Sequence, residues 1–177
     1  ISFYASQKPE WLNEIARSVA VEPKEVEITV RAFVKETLRM DQSERLMRNV
    51  KSDIVFEGFT IPQGWRARVC MWEAHKDEEH FNRPFDFDPN RFIASRPTPE
   101  QYSPFGLDQH QSPFSGISMA MGSAFLTGLA RGYSVEALNT GPSVRGGYHW
   151  EPAINFSVVL SPRETLDESP QIDSSGG

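Results

Sequence analysis

Apolar residues recur at helical spacing over residues 1–40 and at strand spacing soon afterwards. Trp11, Leu12, Ile15 and Val19 follow an i, i+3/i+4 rhythm, and residues 2–20 read as helical. Lys8-Pro9-Glu10-Trp11 forms a turn feeding a helix whose first turn carries Pro9 and Glu10, both favoured there. A second helix is predicted over 24–40, with Val30, Phe33, Val34 and Leu38 on one face and Asp41-Gln42-Ser43 ending it. From Asp53 the rhythm changes: short β-rich pieces punctuated by Gly58, Pro62 and Gly64 predict a small hairpin over 53–64. Residues 66–72 alternate polar and apolar, as a half-buried strand should.

Residues 81–116 are dense in Phe, Pro and Asp and hold no period, which predicts a long ordered loop; such loops usually carry function. From 116 to 131 the chain is apolar nearly all round, predicting a buried helix. Two or three short strands are expected over 133–161, with 133–138 and 154–160 the clearest. Residues 162–177 are acidic and Ser/Gly-rich and are expected to be disordered. The fold class is mainly α with small β-sheets (α+β).

Composition narrows the function classes. With 177 residues the chain can build one domain with its own core. A formal charge of -6, without a Lys/Arg cluster interleaved with aromatics, argues against a nucleic-acid partner. No apolar run approaches the roughly 20 residues that span a bilayer. The first residues show no signal peptide, but the chain opens on Ile1 and reads as a fragment or processed product, so a targeting segment upstream stays open. The single cysteine, Cys70, excludes an internal disulfide and any CxxC metal site, and fits a reducing, cytoplasmic setting.

Four local patterns occur in order. Glu36-Thr37-Leu38-Arg39 is an ExxR on a helix, where residues three apart share a face. Alone it would be a solvated ion pair worth about 0.2–0.5 kcal/mol. Next comes Gly58-Phe59-Thr60-Ile61-Pro62-Gln63-Gly64, otherwise a turn. His75, Asp77 and Phe81 follow, with Phe85-Asp86-Phe87-Asp88-Pro89-Asn90-Arg91-Phe92 behind them, which alone reads as an ordered surface loop. The last is Phe105-Gly106-Leu107-Asp108-Gln109-His110-Gln111-Ser112-Pro113, running straight into a helix whose first turn favours an anion. A histidine such as His110 is, by itself, more often structural than a ligand.

Taken together, this series resembles the C-terminal half of cytochrome P450 enzymes, over residues 1–161. The resemblance implies a meander over 81–104, a heme-ligand loop over 105–113, and heme as the cofactor. It implies that Glu36 and Arg39 form a buried charge network with the meander arginine, Arg91, behind the heme. It matches Arg48 and His110 to residues that hold heme propionates, and Phe105 to the aromatic lying against the ligand loop. It also implies that residues 1–7 are only the tail of the family's oxygen-activating helix. The partners would then be the missing N-terminal half of the fold, in the same or another chain, a redox partner and a small organic substrate.

The resemblance departs at the chemical centre. The family ligates iron through a cysteine thiolate, whose electron donation drives O–O cleavage. Ser112 stands at that metal-ligand position, and Phe114 replaces a small residue two positions on. A serine hydroxyl is hard and normally neutral near pH 7. The expectation is therefore the heme-binding portion of an oxygen-inserting monooxygenase, an oxidoreductase whose thiolate chemistry is impaired or altered. Two alternatives stand beside it: a heme-free auxiliary protein that binds and activates a partner enzyme, and a heme-free or serine-ligated enzyme without oxygenase activity.

Overall fold

The computed structural model describes residues 1–21, 23–41, 46–139, 141–142, 144–145 and 150–163. The disorder expected for the tail falls almost wholly on residues outside that set.

Proline punctuates the start. Helix α1 (Ser2–Gln7) closes with the Lys8 N–H on the Tyr4 carbonyl, and α2 (Pro9–Val21) begins at the next residue, which has no N–H to donate. The single helical stretch expected over 2–20 is thus two helices. Helix α3 (Pro23–Met40) buries Val26, Val30, Phe33 and Val34, as its spacing predicts. Its turn-by-turn neighbours Thr29, Ala32, Glu36 and Arg39 are buried as well, so a polar stripe lies inside beside the apolar one.

Among the described residues four two-stranded antiparallel sheets follow. Strand β1 (Leu46–Asn49) pairs with β4 (Arg66–Val69), and β2 (Ile54–Phe56) pairs with β3 (Phe59–Ile61) as the expected hairpin. Gly58 takes φ +81° in the hairpin turn, a conformation that suits glycine. The strand expected over 66–72 stops at Val69. Cys70 then precedes a helical turn, α4 (Met71–Ala74), because the Ala74 and His75 N–H groups turn back to the Cys70 and Met71 carbonyls.

The meander is irregular apart from the short helix α5 (Asn90–Ala94). After it, α6 (Ser115–Gly132) packs on α2 and α3, and β5 (Tyr133–Ala137) pairs with β8 (Val158–Pro162). Strand β6 (Val144–Arg145) pairs with β7 (Trp150–Glu151). The last strand lies later than the expected 154–160, since a turn with the Phe156 N–H on the Ala153 carbonyl occupies its start.

One core joins α1, α2, α3, α6 and β5 through Leu12, Ile15, Phe33, Leu126, Ala130 and Val135. Phe87 anchors the meander to it, stacked on Tyr4 at 4.2 Å and edge-on to Phe33 at 4.9 Å. Helix α6 corrects the expectation of full burial. Leu126, Leu129 and Ala130 are inside, but Ile117, Met121 and Phe125 are more than half exposed along one stripe. Monomeric proteins rarely leave so large an apolar stripe open to water.

Candidate heme-side site

The site is built behind α3 from side chains that local spacing puts on one face. Glu36 and Arg39 pair directly: Arg39 donates from Nε to Oε2 at 2.7 Å and from Nη2 to Oε1 at 2.9 Å. This is a forked, charge-assisted contact that only a guanidinium makes. Both side chains are fully buried. Arg91 comes in from α5 and donates from Nε to Glu36 Oε1 at 3.1 Å, and the Asp88 N–H reaches the same oxygen at 2.9 Å. The three charged residues singled out in the sequence therefore meet.

Their remaining donors tie the meander down. Arg39 donates to the carbonyls of His75, Pro84 and Asp86, and Arg91 to those of Asn82, Arg83 and Asp86. Backbone that forms no ladder is in this way satisfied by two arginines.

His75 and Lys76 sit beside this network. The His75 side chain is enclosed, and its Nε2 accepts the Ser103 N–H at 3.2 Å. Burial, with Lys76 and Arg39 nearby, lowers its pKa from 6.5 to about 4. The Lys76 ammonium donates to the Arg39 carbonyl at 3.1 Å and lies 5.1 Å from the Trp72 ring centroid. Burial first, then Arg39, lowers its pKa from 10.5 to about 7. Tyr102, whose hydroxyl donates to the Lys35 carbonyl at 2.8 Å, is raised well above its ordinary value by burial. Of these, only His75 drew notice in the sequence, through its HxD spacing. Lys76, Tyr102 and Ser103 carried no local signal.

The loop before α6 is closed by its own backbone. Gly106 N–H donates to the Ser103 carbonyl at 2.9 Å, and Ser112 N–H donates to the Phe105 carbonyl at 2.8 Å. Between them Asp108–His110 makes one 3-10 turn. Gly106 takes φ +84°, and a Cβ there would lie 2.8 Å from the His110 carbonyl oxygen, so no other residue fits unstrained. Ser112 is half-buried, and its Oγ accepts the Phe114 N–H at 3.3 Å at the entrance to α6. Phe105 is half-buried and lines a cleft of about 550 Å³ with Arg31, Lys35, Tyr102 and Met119.

A backbone bond joins Phe105 and Ser112, and among the described residues no hydrogen bond ties Arg48 or His110 to that pair. Arg48 is half-buried on β1 opposite Ala67, and its Nη1 donates to the Met47 carbonyl at 2.9 Å. His110 is exposed at the end of the 3-10 turn. Neither makes a hydrogen bond to the other or to Ser112 among the described residues. Cys70 is exposed and lies at the end of β4, not in the loop.

The donor chemistry decides how far heme fits. Were heme to bind beside this loop, the atom that Ser112 would offer it is an oxygen, where the family offers sulfur. A neutral hydroxyl does not fit the thiolate role. Among the described residues no helix is long and apolar enough to cross a membrane.

Known proteins share this chain's sequence pattern and fold. The family model for cytochrome P450 matches residues 28–143. Ent-kaurenoic acid oxidase 2 from Arabidopsis thaliana is 33% identical over 123 residues, covering 69% of this chain and 25% of that protein. Abscisic acid 8'-hydroxylase 1, from the same plant, is 26% identical over 81% of this chain and 31% of its own length. Cytochrome P450 716A75 from Maesa lanceolata is 41% identical over 66 residues, 37% of this chain and 14% of its own. A retinoic acid-bound cyanobacterial CYP120A1 superposes with a TM-score of 0.80 at 22% identity, covering 92% of this chain and 41% of that one. The chain spans less than a third of the curated relatives it matches, and over that span it belongs to the cytochrome P450 family.

Proposed function

We propose that this chain is the heme-facing C-terminal portion of a monooxygenase-type protein in which Ser112 takes the axial position. Heme, when bound, supplies oxygen activation at its iron, and a thiolate partner is what makes that activation efficient. Here the chain's own residues hold the geometry and withhold the sulfur. The observation that carries the reading is the loop from Phe105 to Ser112, closed by the 2.8 Å backbone bond between them, which delivers Ser112 Oγ to the start of α6. Arg48 and His110 are the candidates for the propionates, and Glu36, Arg39 and Arg91 are the scaffold that keeps the meander behind the loop in place. Oxygen insertion into a small organic molecule is impaired or altered in consequence.

The open face of α6 is where the rest of the fold belongs, in the same chain or another. An electron donor would be the further partner, and the lone exposed Cys70 suits a reducing, cytoplasmic setting. A second reading is favoured by the hydroxyl that stands at Ser112 in place of a thiol: a heme-free auxiliary protein that activates a partner enzyme, or a heme-free or serine-ligated enzyme without oxygenase activity.

An absorbance spectrum of the intact protein, reduced and exposed to carbon monoxide, separates these readings. A heme band without the thiolate signature is expected, and Ser112→Cys should restore that signature. A spectrum with no heme band supports the auxiliary or heme-free reading. A thiolate signature in the unaltered protein would refute the axial placement of Ser112.

A further inference from the structure

We infer that His75 is a positioning residue for the ligand loop: its ring carries the rigidity of the Glu36–Arg39 network across to the backbone that ends at Ser112. The inference rests on the proposed heme-side reading for its functional meaning, but not for its geometry.

The connection can be followed bond by bond. Arg39 Nη1 donates to the His75 carbonyl at 2.8 Å, which fixes this residue against the buried network. The other side of His75 faces the loop, where Nε2 accepts the Ser103 N–H at 3.2 Å. The Ser103 carbonyl then accepts the Gly106 N–H at 2.9 Å, and the neighbouring Phe105 carbonyl accepts the Ser112 N–H at 2.8 Å. His75 thus bridges α3, through its carbonyl, and the first residue of the chain of bonds that sets Ser112, through its ring. The rings of Tyr102, at 5.2 Å, and Phe81, at 6.3 Å, hold it from both sides.

Chemistry explains why a histidine is kept there. An Nε2 that accepts must leave the proton on Nδ1, and Nδ1 is buried without a partner. A phenylalanine of similar volume would bury no polar atom at all, so the acceptor must outweigh an orphaned donor. The charged groups around the ring favour the accepting, neutral form. Arg39 is a cation, Lys76 is one below its pKa of about 7, and Glu36 is occupied by two arginines. Protonation would set a second donor against the Ser103 N–H and break the bridge.

Three variants of the intact protein test this, with and without heme. His75→Phe keeps the ring and removes the acceptor, His75→Gln places an oxygen at the same number of bonds, and His75→Asn falls short. Amide hydrogen exchange at Ser103, Gly106 and Ser112 should accelerate about tenfold in H75F, with Leu126 and Ala130 as unchanged controls. H75Q should return the loop towards the unaltered rates, and the heme band should broaden in H75F and recover in H75Q. If H75F loosens Leu126 and Ala130 too, the pair H75Q and H75N decides: loop held by Gln and freed by Asn supports the bridge. Equal loop exchange in those two, or no acceleration in a folded H75F, overturns it. A protein with no heme band but the expected exchange pattern would instead sink the heme reading and leave the bridge standing.

Discussion

Glu36→Ala puts the buried network to its hardest test. The carboxylate accepts four hydrogen bonds, at 2.7 and 2.9 Å from Arg39, 3.1 Å from Arg91 and 2.9 Å from the Asp88 N–H. Hydrogen bonds to a charged group are worth about 1.5–3 kcal/mol each, so the gross loss is large. Against it stands the desolvation of the carboxylate, several kcal/mol, which is relieved when the group goes. What the truncation cannot relieve is Arg39. Its side chain is 0% exposed, and its charge would remain inside with no anion, only carbonyls, the Met40 sulfur and the Phe81 ring beside it. Breaking one side of such a pair costs about 3–5 kcal/mol. An exposed i,i+3 pair would lose about 0.2–0.5 kcal/mol, so the two descriptions of the same ExxR differ tenfold.

The assay is denaturant unfolding of the full chain, following far-UV ellipticity, with Arg39→Lys alongside. Lysine cannot fork onto the carboxylate while reaching three carbonyls, so R39K should also lose stability despite keeping the charge. The total stability of a domain is about 5–15 kcal/mol, which makes the expected Glu36→Ala loss a large fraction of it. A loss below about 1 kcal/mol would refute the reasoning, because it would mean that Arg39 is not stranded when its partner leaves.

The other expectations concern pH, the loop and the open face. Stability should fall as pH drops from 6.5 to about 4, because His75 binds its proton more weakly when folded; H75F should flatten that limb of a midpoint-versus-pH curve. It should rise as pH climbs from about 7 to 10.5, since buried Lys76 also binds its proton more weakly than in the unfolded chain, and Lys76→Met should remove that rise. Gly106→Ala meets both a φ of +84° and a carbonyl oxygen 2.8 Å away, and should cost about 1–3 kcal/mol, read as a lower melting temperature. Residues 1–177 alone should self-associate in light scattering, with Met121→Glu and Phe125→Glu reducing it; a monodisperse, cooperatively melting monomer of the unaltered chain would contradict the open-face reading.

What the sequence reveals depends on the range of the interaction. The apolar faces of α2 and α3 are legible because their spacing is local: Leu12 with Ile15, Val30 with Phe33 and Val34. The ExxR pair is local too, but its third member, Arg91, lies 55 residues from Glu36 and is reached only through the family resemblance. The carbonyls of Pro84 and Asp86 that absorb Arg39 are beyond reading, since every residue carries one. Lys76 misleads for the opposite reason. A lysine suggests a solvated face, yet its ammonium ends against backbone and the Trp72 ring. Strand β1 went unseen because Leu46–Asn49 lacks alternation; it exists through its pairing with Arg66–Val69. The apolar pattern of α6 correctly marks a helix but overstates its burial: Leu126, Leu129 and Ala130 are inside, while Phe125 is about half exposed.

Ser112 shows how the fold and the chemistry of this loop come apart. Everything that fixes the residue is backbone: its N–H on the Phe105 carbonyl at 2.8 Å, its own carbonyl taking the Ser115 N–H at 3.2 Å, and Gly106 making the turn that lets both form. The side chain contributes one acceptor, to the Phe114 N–H. A thiol differs from a hydroxyl there by one larger, softer atom in a half-buried position, so the exchange should move stability by no more than about 1 kcal/mol, in the range of ordinary partly exposed substitutions. Under the proposed placement of Ser112, the same atom would govern whether iron receives a strongly donating ligand or a weak neutral one. Fold stability would therefore not report on the atom that the proposal makes decisive, and the intact network of Glu36, Arg39 and Arg91 is evidence that the scaffold is held, not that oxygen is activated on it.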